Sequence, residues 1–369
     1  VESAKSVTTK NTAIRAGLGQ FRTVLNSARS LFSIITFRLS RDALFLVVLL
    51  SVFLINRPGP VSAQDGLFQL VNPVMGHLRF SVDYQGWYYP TQDIEGQNQD
   101  LGLTQHQVEI LAPLRQDQTQ ELGLVIKAQE WVLDTEAVLP DSGRSLPNEL
   151  QQVGLGAFYR RQAANGWTWG VLAGVDSPAE QPFNSEDEIV LSATGFARIP
   201  QGPTQAWLVF LNYSNFSDYW DGLPLGGLAW QYLPSPRTQM LLGVPVVWVR
   251  HLPTKSTNLS LLYLLPQTVS ARAGWRPTEG TETYINLAAV HEGFFLNGRR
   301  DKNNRLFFYE TKALVGCNFQ VSENINLDLA GGWVFERMVF EGENFGDRAQ
   351  NRLDMESGST FRLKVEVTF

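Results

Sequence analysis

The feature that most restricts this chain is an alternation of apolar and polar residues at period two, running from about residue 77 to the last residue. At the C-terminus Phe361, Leu363, Val365, Val367 and Phe369 share one face, and Arg362, Lys364, Glu366 and Thr368 share the other. Successive side chains of a β-strand point to opposite faces, so such a segment is a strand whose two faces meet different surroundings. The pattern returns upstream. Phe307, Tyr309, Ala313, Val315 and Phe319 oppose Glu310, Lys312 and Asn318, and Ile325, Leu327, Leu329 and Trp333 oppose Asn326, Asp328 and Glu336. Half-buried strands of a soluble sandwich also alternate. The connections between segments separate the two architectures.

Short polar turns recur near residues 117, 164, 201, 235, 278 and 322, marked by sequences such as Gln116-Asp117-Gln118, Gln201-Gly202-Pro203 and Ser322-Glu323-Asn324. Longer connections fall between them at 90–102, 134–148, 179–186, 217–225, 245–265, 294–304 and 342–356. Seven long loops alternating with six short turns predict about fourteen strands in an up-and-down array. The range is twelve to sixteen, because Pro245, Pro253 and Pro266 interrupt the apolar stretch 245–265 and an additional hairpin there gives sixteen. Short turns on one side and long loops on the other are the layout of an all-β, antiparallel transmembrane barrel. An apolar outer stripe satisfies lipid, and closure satisfies the backbone groups that lipid cannot. Tyr88, Trp167, Trp207, Trp275 and Phe369 fall near strand ends, where interfacial girdles sit.

The N-terminal part reads differently. Lys5, Lys10, Arg15, Arg22, Arg29, Arg38 and Arg41 precede the apolar run Ala43 to Ile55, which Pro58, Gly59 and Pro60 terminate. A basic region before a short apolar one is the pattern of a secretory signal, and Val61-Ser62-Ala63 places cleavage after Ala63. Thirteen helical residues cover only ~20 Å of a ~30 Å hydrocarbon core, which disfavours an anchor. The expected organisation is therefore a signal over 1–63, a short periplasmic segment over 64–76 and a barrel over 77–369. Thirty basic against 36 acidic residues give a net charge of −6, without the basic stripe of a nucleic-acid binder. The single cysteine, Cys317, excludes a disulfide framework or a cysteine-built zinc site.

The signal, the alternating strands and terminal Phe369 together resemble a Gram-negative outer-membrane β-barrel protein. The resemblance implies a location in the bacterial outer membrane, both mature termini in the periplasm, and contact with membrane lipid and lipopolysaccharide. It also implies that Phe361, Leu363, Val365, Val367 and Phe369 form the signal read by the outer-membrane assembly machinery. The run from Trp230 to Phe369, with Tyr232-Leu-Pro-Ser-Pro-Arg, Trp275-Arg-Pro-Thr-Glu-Gly and Phe319-Gln-Val-Ser-Glu-Asn at its tight turns, is similar to a family of outer-membrane proteins without an assigned function.

Taking the inner face from the alternation assigns it Arg79, Lys127, Arg160, Arg198, Lys312, Arg362 and Lys364, balanced by Asp83, Glu109, Asp176, Glu310, Asp328, Glu336 and Glu366. A balanced interior predicts a pore of weak charge selectivity, since selective pores use rings of one sign. A structural or surface-interaction barrel with a filled lumen is the alternative. A lipid-modifying enzyme carries low weight: His106 and His291 share the lipid-facing parity, but nearby Ser270 has the opposite one. No cofactor or metal is expected. The acidic loop clusters Glu186-Asp187-Glu188, Asp218 with Asp221, and Glu341-Gly342-Glu343 match no defined calcium loop, and a basic loop gathers Arg299, Arg300, Lys302 and Arg305 around Asp301.

Overall fold

Among the described residues every strand finds a hydrogen-bonding neighbour on both sides, and the last pairs with the first. The computed structural model describes residues 75–369 except 218–221, 265–267 and 300. The expected signal and most of the expected 64–76 segment lie outside the described residues. The strands are β1 (Ser81–Asp93), β2 (Asp100–Gln116), β3 (Gln120–Asp134), β4 (Glu149–Gln162), β5 (Thr168–Ala179), β6 (Val190–Pro200), β7 (Gln205–Ser214) and β8 (Leu225–Ser235). They continue with β9 (Thr238–Val244), β10 (Val246–His251), β11 (Thr257–Leu264), β12 (Thr268–Thr278), β13 (Thr281–Phe295), β14 (Arg305–Ser322), β15 (Ile325–Gly342), β16 (Arg352–Met355) and β17 (Gly358–Thr368). Each pairs antiparallel with its sequence neighbours, except that β16 and β17 both lie along β15 as two halves of one stave. β17 then pairs with β1 from Ser81↔Thr368 to Tyr88↔Phe361, which closes the sheet.

The barrel thus has sixteen staves, at the upper end of the expected range. The two beyond fourteen come from 245–265, which is no single connection. β9 and β10 turn tightly at Pro245 and β10 pairs onward with β11, so the stretch forms an additional hairpin. The sequence hides it because the tip Val244-Pro245-Val246 is as apolar as the strands it joins.

Closure leaves two faces with opposite chemistry. Outward residues are hydrocarbon and exposed, among them Leu155, Val171, Val209, Leu211, Leu228, Ile285, Leu287, Val315, Leu329 and Leu363. Ile285 and Val315 are 63% and 64% exposed. A contiguous belt of this kind is far larger than the apolar patches soluble proteins tolerate, and it suits lipid. Trp167, Trp207 and Trp275 are exposed at the short-turn ends, with Tyr88 and Trp333 higher on the wall. Among the described residues no helix is long and apolar enough to cross a membrane.

Several inner glycines face aromatic rings on the next strand. A Cβ at Gly227 would come within 2.2 Å of the Phe210 ring, and one at Gly316 within 2.4 Å of Tyr284. These glycines let the rings lie flat along the wall, and at Gly316 this sets the direction of the Tyr284 hydroxyl.

Stave height varies around the rim. β14 and β15 each have 18 residues, about 60 Å along the strand at ~3.4 Å per residue, well beyond what a ~25 Å apolar band requires even when tilted. Their upper ends bend inward at a β-bulge where Glu310 of β14 opposes both Glu336 and Arg337 of β15, and Glu336 adopts φ +52°. The bend carries the top of β13 across the mouth until Phe295 pairs with Ala179 of β5, eight staves away around the barrel.

Candidate functional site

The bent upper ends of β13, β14 and β15 form a canopy over the long-loop mouth. Beneath it lies an apolar plug. Trp131 packs edge-on against Phe294 and Phe308 at 5.0 and 4.9 Å, with Leu101, Leu103, Leu133, Leu306, Val339 and Leu353 around them. The β3–β4 connection adds Ala137, Leu139 and Leu146 from the side. Above the canopy, Phe345 of the 343–351 loop packs on Phe307 and Phe340, and His291 lies 5.2 Å from the Phe345 ring. Both faces of the canopy are therefore buried.

Polar contacts hold its tip to the far wall. Arg299 Nη1 meets Glu188 Oε1 at 3.2 Å and its Nη2 donates to the Asp187 carbonyl at 3.1 Å, while Lys302 lies 3.4 Å from the Asp187 carboxylate. The Asn297 N–H donates to the Glu180 carboxylate, the Glu180 N–H to Phe295 O at 3.1 Å, and Arg305 to the Ser217 carbonyl at 2.8 Å. The acidic cluster 186–188 and the basic loop around Asp301, unconnected in the sequence, are two halves of one contact. Arg300, Asp218 and Asp221 lie outside the described residues. Among the described residues no three His, Cys, Asp or Glu side chains gather as a metal site.

Below the plug the interior turns polar. Contacts between staves that are not neighbours run through the lumen, and they locate the residues that make them. Glu310 on β14 accepts from Tyr89 on β1 at 2.7 Å and pairs with Lys312 at 2.7 Å and with Arg337 Nε at 3.5 Å. Asp328 on β15 accepts from Tyr284 on β13 at 2.6 Å and from Arg362 on β17 at 2.7 Å. Gln129 on β3 reaches Glu292 on β13 at 2.7 Å, most of the way across. Along the wall Lys364 pairs with Asp83 at 3.1 Å, Arg160 with Glu121, Gln152 with Asp176, and Arg198 with Gln231 at 2.6 Å. Lys127 and Glu109 face each other across β2 and β3, and Glu366 lies beside Asp83 and Asn326.

Two of the inner-face assignments change. Glu336 does not continue the alternation: at the bulge it is exposed and accepts from Thr311 on the outer face at 3.2 Å, and Arg337 takes the inward position. Arg79 precedes β1 and is exposed. Glu121, Arg272, Glu282, Glu292 and Arg337 complete the interior network. All but Arg337 follow the parity of their strands and were legible there; the bulge hid Arg337.

The two histidines stay on the outer face, His106 with its Nδ1 2.9 Å from the Tyr84 hydroxyl and His291 under Phe345. Ser270 accepts from Asn286 on the inner face at 3.1 Å, so the fold does not bring it to either histidine. An apolar groove of about 800 Å³ between Tyr88, Phe361, Leu329 and Val315 opens on the lipid-facing wall. Phe369, the last residue of the expected assembly signal, donates its N–H to Phe80 O at 2.8 Å and packs its ring 5.5 Å from that of Phe80.

A sheet closed on itself, polar within and belted with hydrocarbon without, defines an outer-membrane β-barrel, and the outer membrane is its location. No family model matches the chain, and no curated protein is similar to it. Solved structures overlap it at low similarity. An outer-membrane channel from Pseudomonas putida is 9% identical and aligns over 80% of this chain and 98% of its own, with a TM-score of 0.36. OccAB4 of Acinetobacter baumannii is also 9% identical, over 80% and 99%, at 0.36. The translocator domain of the autotransporter NalP from Neisseria meningitidis is 12% identical, over 83% and 95%, at 0.28.

Proposed function

We propose that the chain is a passive outer-membrane channel for small polar solutes, seen in a state whose long-loop mouth is closed by the canopy. The observation that carries this reading is the ion-paired lower lumen. Buried ion pairs are poor stabilisers, and well-packed hydrocarbon of the same volume does as well or better. A lumen that served only to be filled would have no use for Glu310, Asp328, Arg337 and Arg362. With Glu336 replaced by Arg337, and with Arg272, Glu121, Glu282 and Glu292 included, basic and acidic groups remain close to balance. Charge selectivity is therefore weak, and the part due to loop charges fades as salt shortens the screening length to ~3 Å at 1 M.

A second reading, a structural barrel, has the apolar plug in its favour: Trp131, Phe294 and Leu306 are at most 3% exposed. Planar-bilayer conductance separates the two. The channel reading expects rare or small openings from the wild type and larger, frequent ones when residues 296–304 are replaced by a short Gly-Ser turn. A folded barrel that is silent in both forms is a structural one.

A further inference from the structure

The lower lumen contains a polar cavity of about 110 Å³, lined by Gln85, Arg272, Tyr284, Asn286, Asn318, Asn326, Asp328, Arg362, Lys364 and Glu366. At ~30 Å³ per water it holds roughly four waters, or one edge of a larger solute that displaces them. Its walls come from the lower parts of β1, β12, β13, β14, β15 and β17, so it lies toward the short-turn mouth, on the opposite side of the plug from the canopy.

The cations of this cavity are already matched. Arg272 binds Glu282 at 2.9 Å, Arg362 binds Asp328 at 2.7 Å and Lys364 binds Asp83 at 3.1 Å. Tyr284 lies flat on the wall over Gly316, with the Arg272 guanidinium 3.5 Å from its ring centre. Of the four carboxamides, Asn286 donates to Ser270 and to the Ala271 carbonyl, and the other three are in a different condition. Among the described residues no side-chain partner reaches Gln85, Asn318 or Asn326, each on a different stave. The buried Arg362 Nε also lacks a hydrogen-bond partner there.

A carboxamide offers an acceptor and two donors. Three of them around one small cavity match the paired donor and acceptor character of adjacent hydroxyl groups. An anionic solute would have to displace carboxylates from their cations, and a cationic one would meet Arg272, Arg362 and Lys364 as well as Glu366, the one lining carboxylate with no cation within 4.0 Å among the described residues. We infer that this cavity binds one edge of a neutral polyhydroxylated solute, such as the adjacent hydroxyls of a sugar ring whose remainder lies in the lumen, entering from the short-turn side. The inference deepens the channel reading and rests on it for the solute's passage; binding itself is measured separately.

The experiment is saturation-transfer NMR on the refolded full chain in detergent micelles, titrated with glucose, with gluconate and with glucosamine. Glucose is expected to give a saturable signal stronger than either charged analogue. In Asn318→Ala/Asn326→Ala the apparent affinity should fall about tenfold, the loss expected from two modest hydrogen bonds. Gln85→Ala on β1 should show a smaller loss in the same direction, and Gln129→Ala, which lies outside the cavity, none. Heat-dependent gel mobility reports whether each variant is folded. Should the double variant fail to fold, Gln85→Ala decides alone. Unchanged glucose binding in the folded cavity variants, a preference for gluconate or glucosamine, or no saturable signal in the wild type overturns the inference. A barrel that binds glucose but never conducts removes the channel reading and leaves the site. One that conducts without binding does the reverse.

Discussion

Removing the carboxylate of Glu310 should destabilise the barrel more than any other single change to its polar interior. Glu310 is the only anion within 4.0 Å of Lys312 or Arg337 among the described residues, and the three side chains are 10%, 8% and 2% exposed. At an effective dielectric of 20, the 2.7 and 3.5 Å pairs are worth about 6 and about 5 kcal/mol of gross attraction. Desolvation of the three groups offsets most of this. The net cost of removing one partner from a buried pair is about 3–5 kcal/mol, because the charges left behind stay buried. Lys312 also lies 3.9 Å from the centre of the Trp87 ring, which keeps part of its stabilisation, so the lower end of that range is expected. Glu310→Gln preserves an acceptor for the Tyr89 hydroxyl and should lose less than Glu310→Leu. The assay is urea unfolding of the barrel in lipid vesicles, followed by tryptophan fluorescence, with Lys312→Met and the double variant completing a thermodynamic cycle. A Glu310→Gln variant within about 0.5 kcal/mol of wild type would refute the argument, since it would mean that water or a rearranged side chain already shields the node.

Two further outcomes follow from the ends of the strands. Phe369→Asp places a charge where the ring packs on Phe80 and within the expected assembly signal. The variant should accumulate in the periplasm as a protease-sensitive species, and normal membrane insertion by cell fractionation would remove both roles. In the β2–β3 turn, the Thr119 hydroxyl, the Gln120 amide and their backbone N–H groups all donate to Asp117 and hold its carboxyl well below the usual range. Because the folded-state value is depressed, the turn's contribution is complete above the unfolded carboxylate value of ~3.9 and disappears as pH falls through the folded one. The urea midpoint of wild type should therefore exceed that of Asp117→Ala at neutral pH and converge on it in strong acid. A gap that does not change with pH would contradict this.

The barrel was legible because lipid imposes a strict rule on the sequence. Most outward positions within the lipid belt are hydrocarbon, so parity identifies the wall, from Ile285 and Leu287 to Phe361 and Leu363. Legibility failed where that rule lapses. At Val244-Pro245-Val246 turn and strand are equally apolar, so two staves merged into one connection. At Glu336 an extra residue shifts the parity of everything above it, and a count of alternating positions cannot detect the shift. The canopy lay beyond reach for a different reason. Its ion pair joins residue 188 to residue 299, and nothing local in either loop specifies a partner across the mouth. Each cluster alone reads as solvated charge.

The bulge that misled the parity count is also what links the two halves of the lumen. Opposing Glu310 with both Glu336 and Arg337 does two things at once: it turns Arg337 inward to complete the buried ion pair, and it bends β14 and β15 so that their upper ends cross the mouth. The polar node and the canopy therefore share one local cause. A barrel that retained its full alternation through residue 336 would present two carboxylates, Glu310 and Glu336, to the same interior point. Like charges at that distance repel in a low-dielectric interior, and neither would have Arg337 to offset the cost. Straight strands would then carry Phe294, Leu306 and Phe308 up the open wall with no opposite face to cover them. Burial of the plug beneath the bend, and pairing of the charges at it, favour the same register, so the bulge is a designed closure of the mouth rather than an irregularity in a strand.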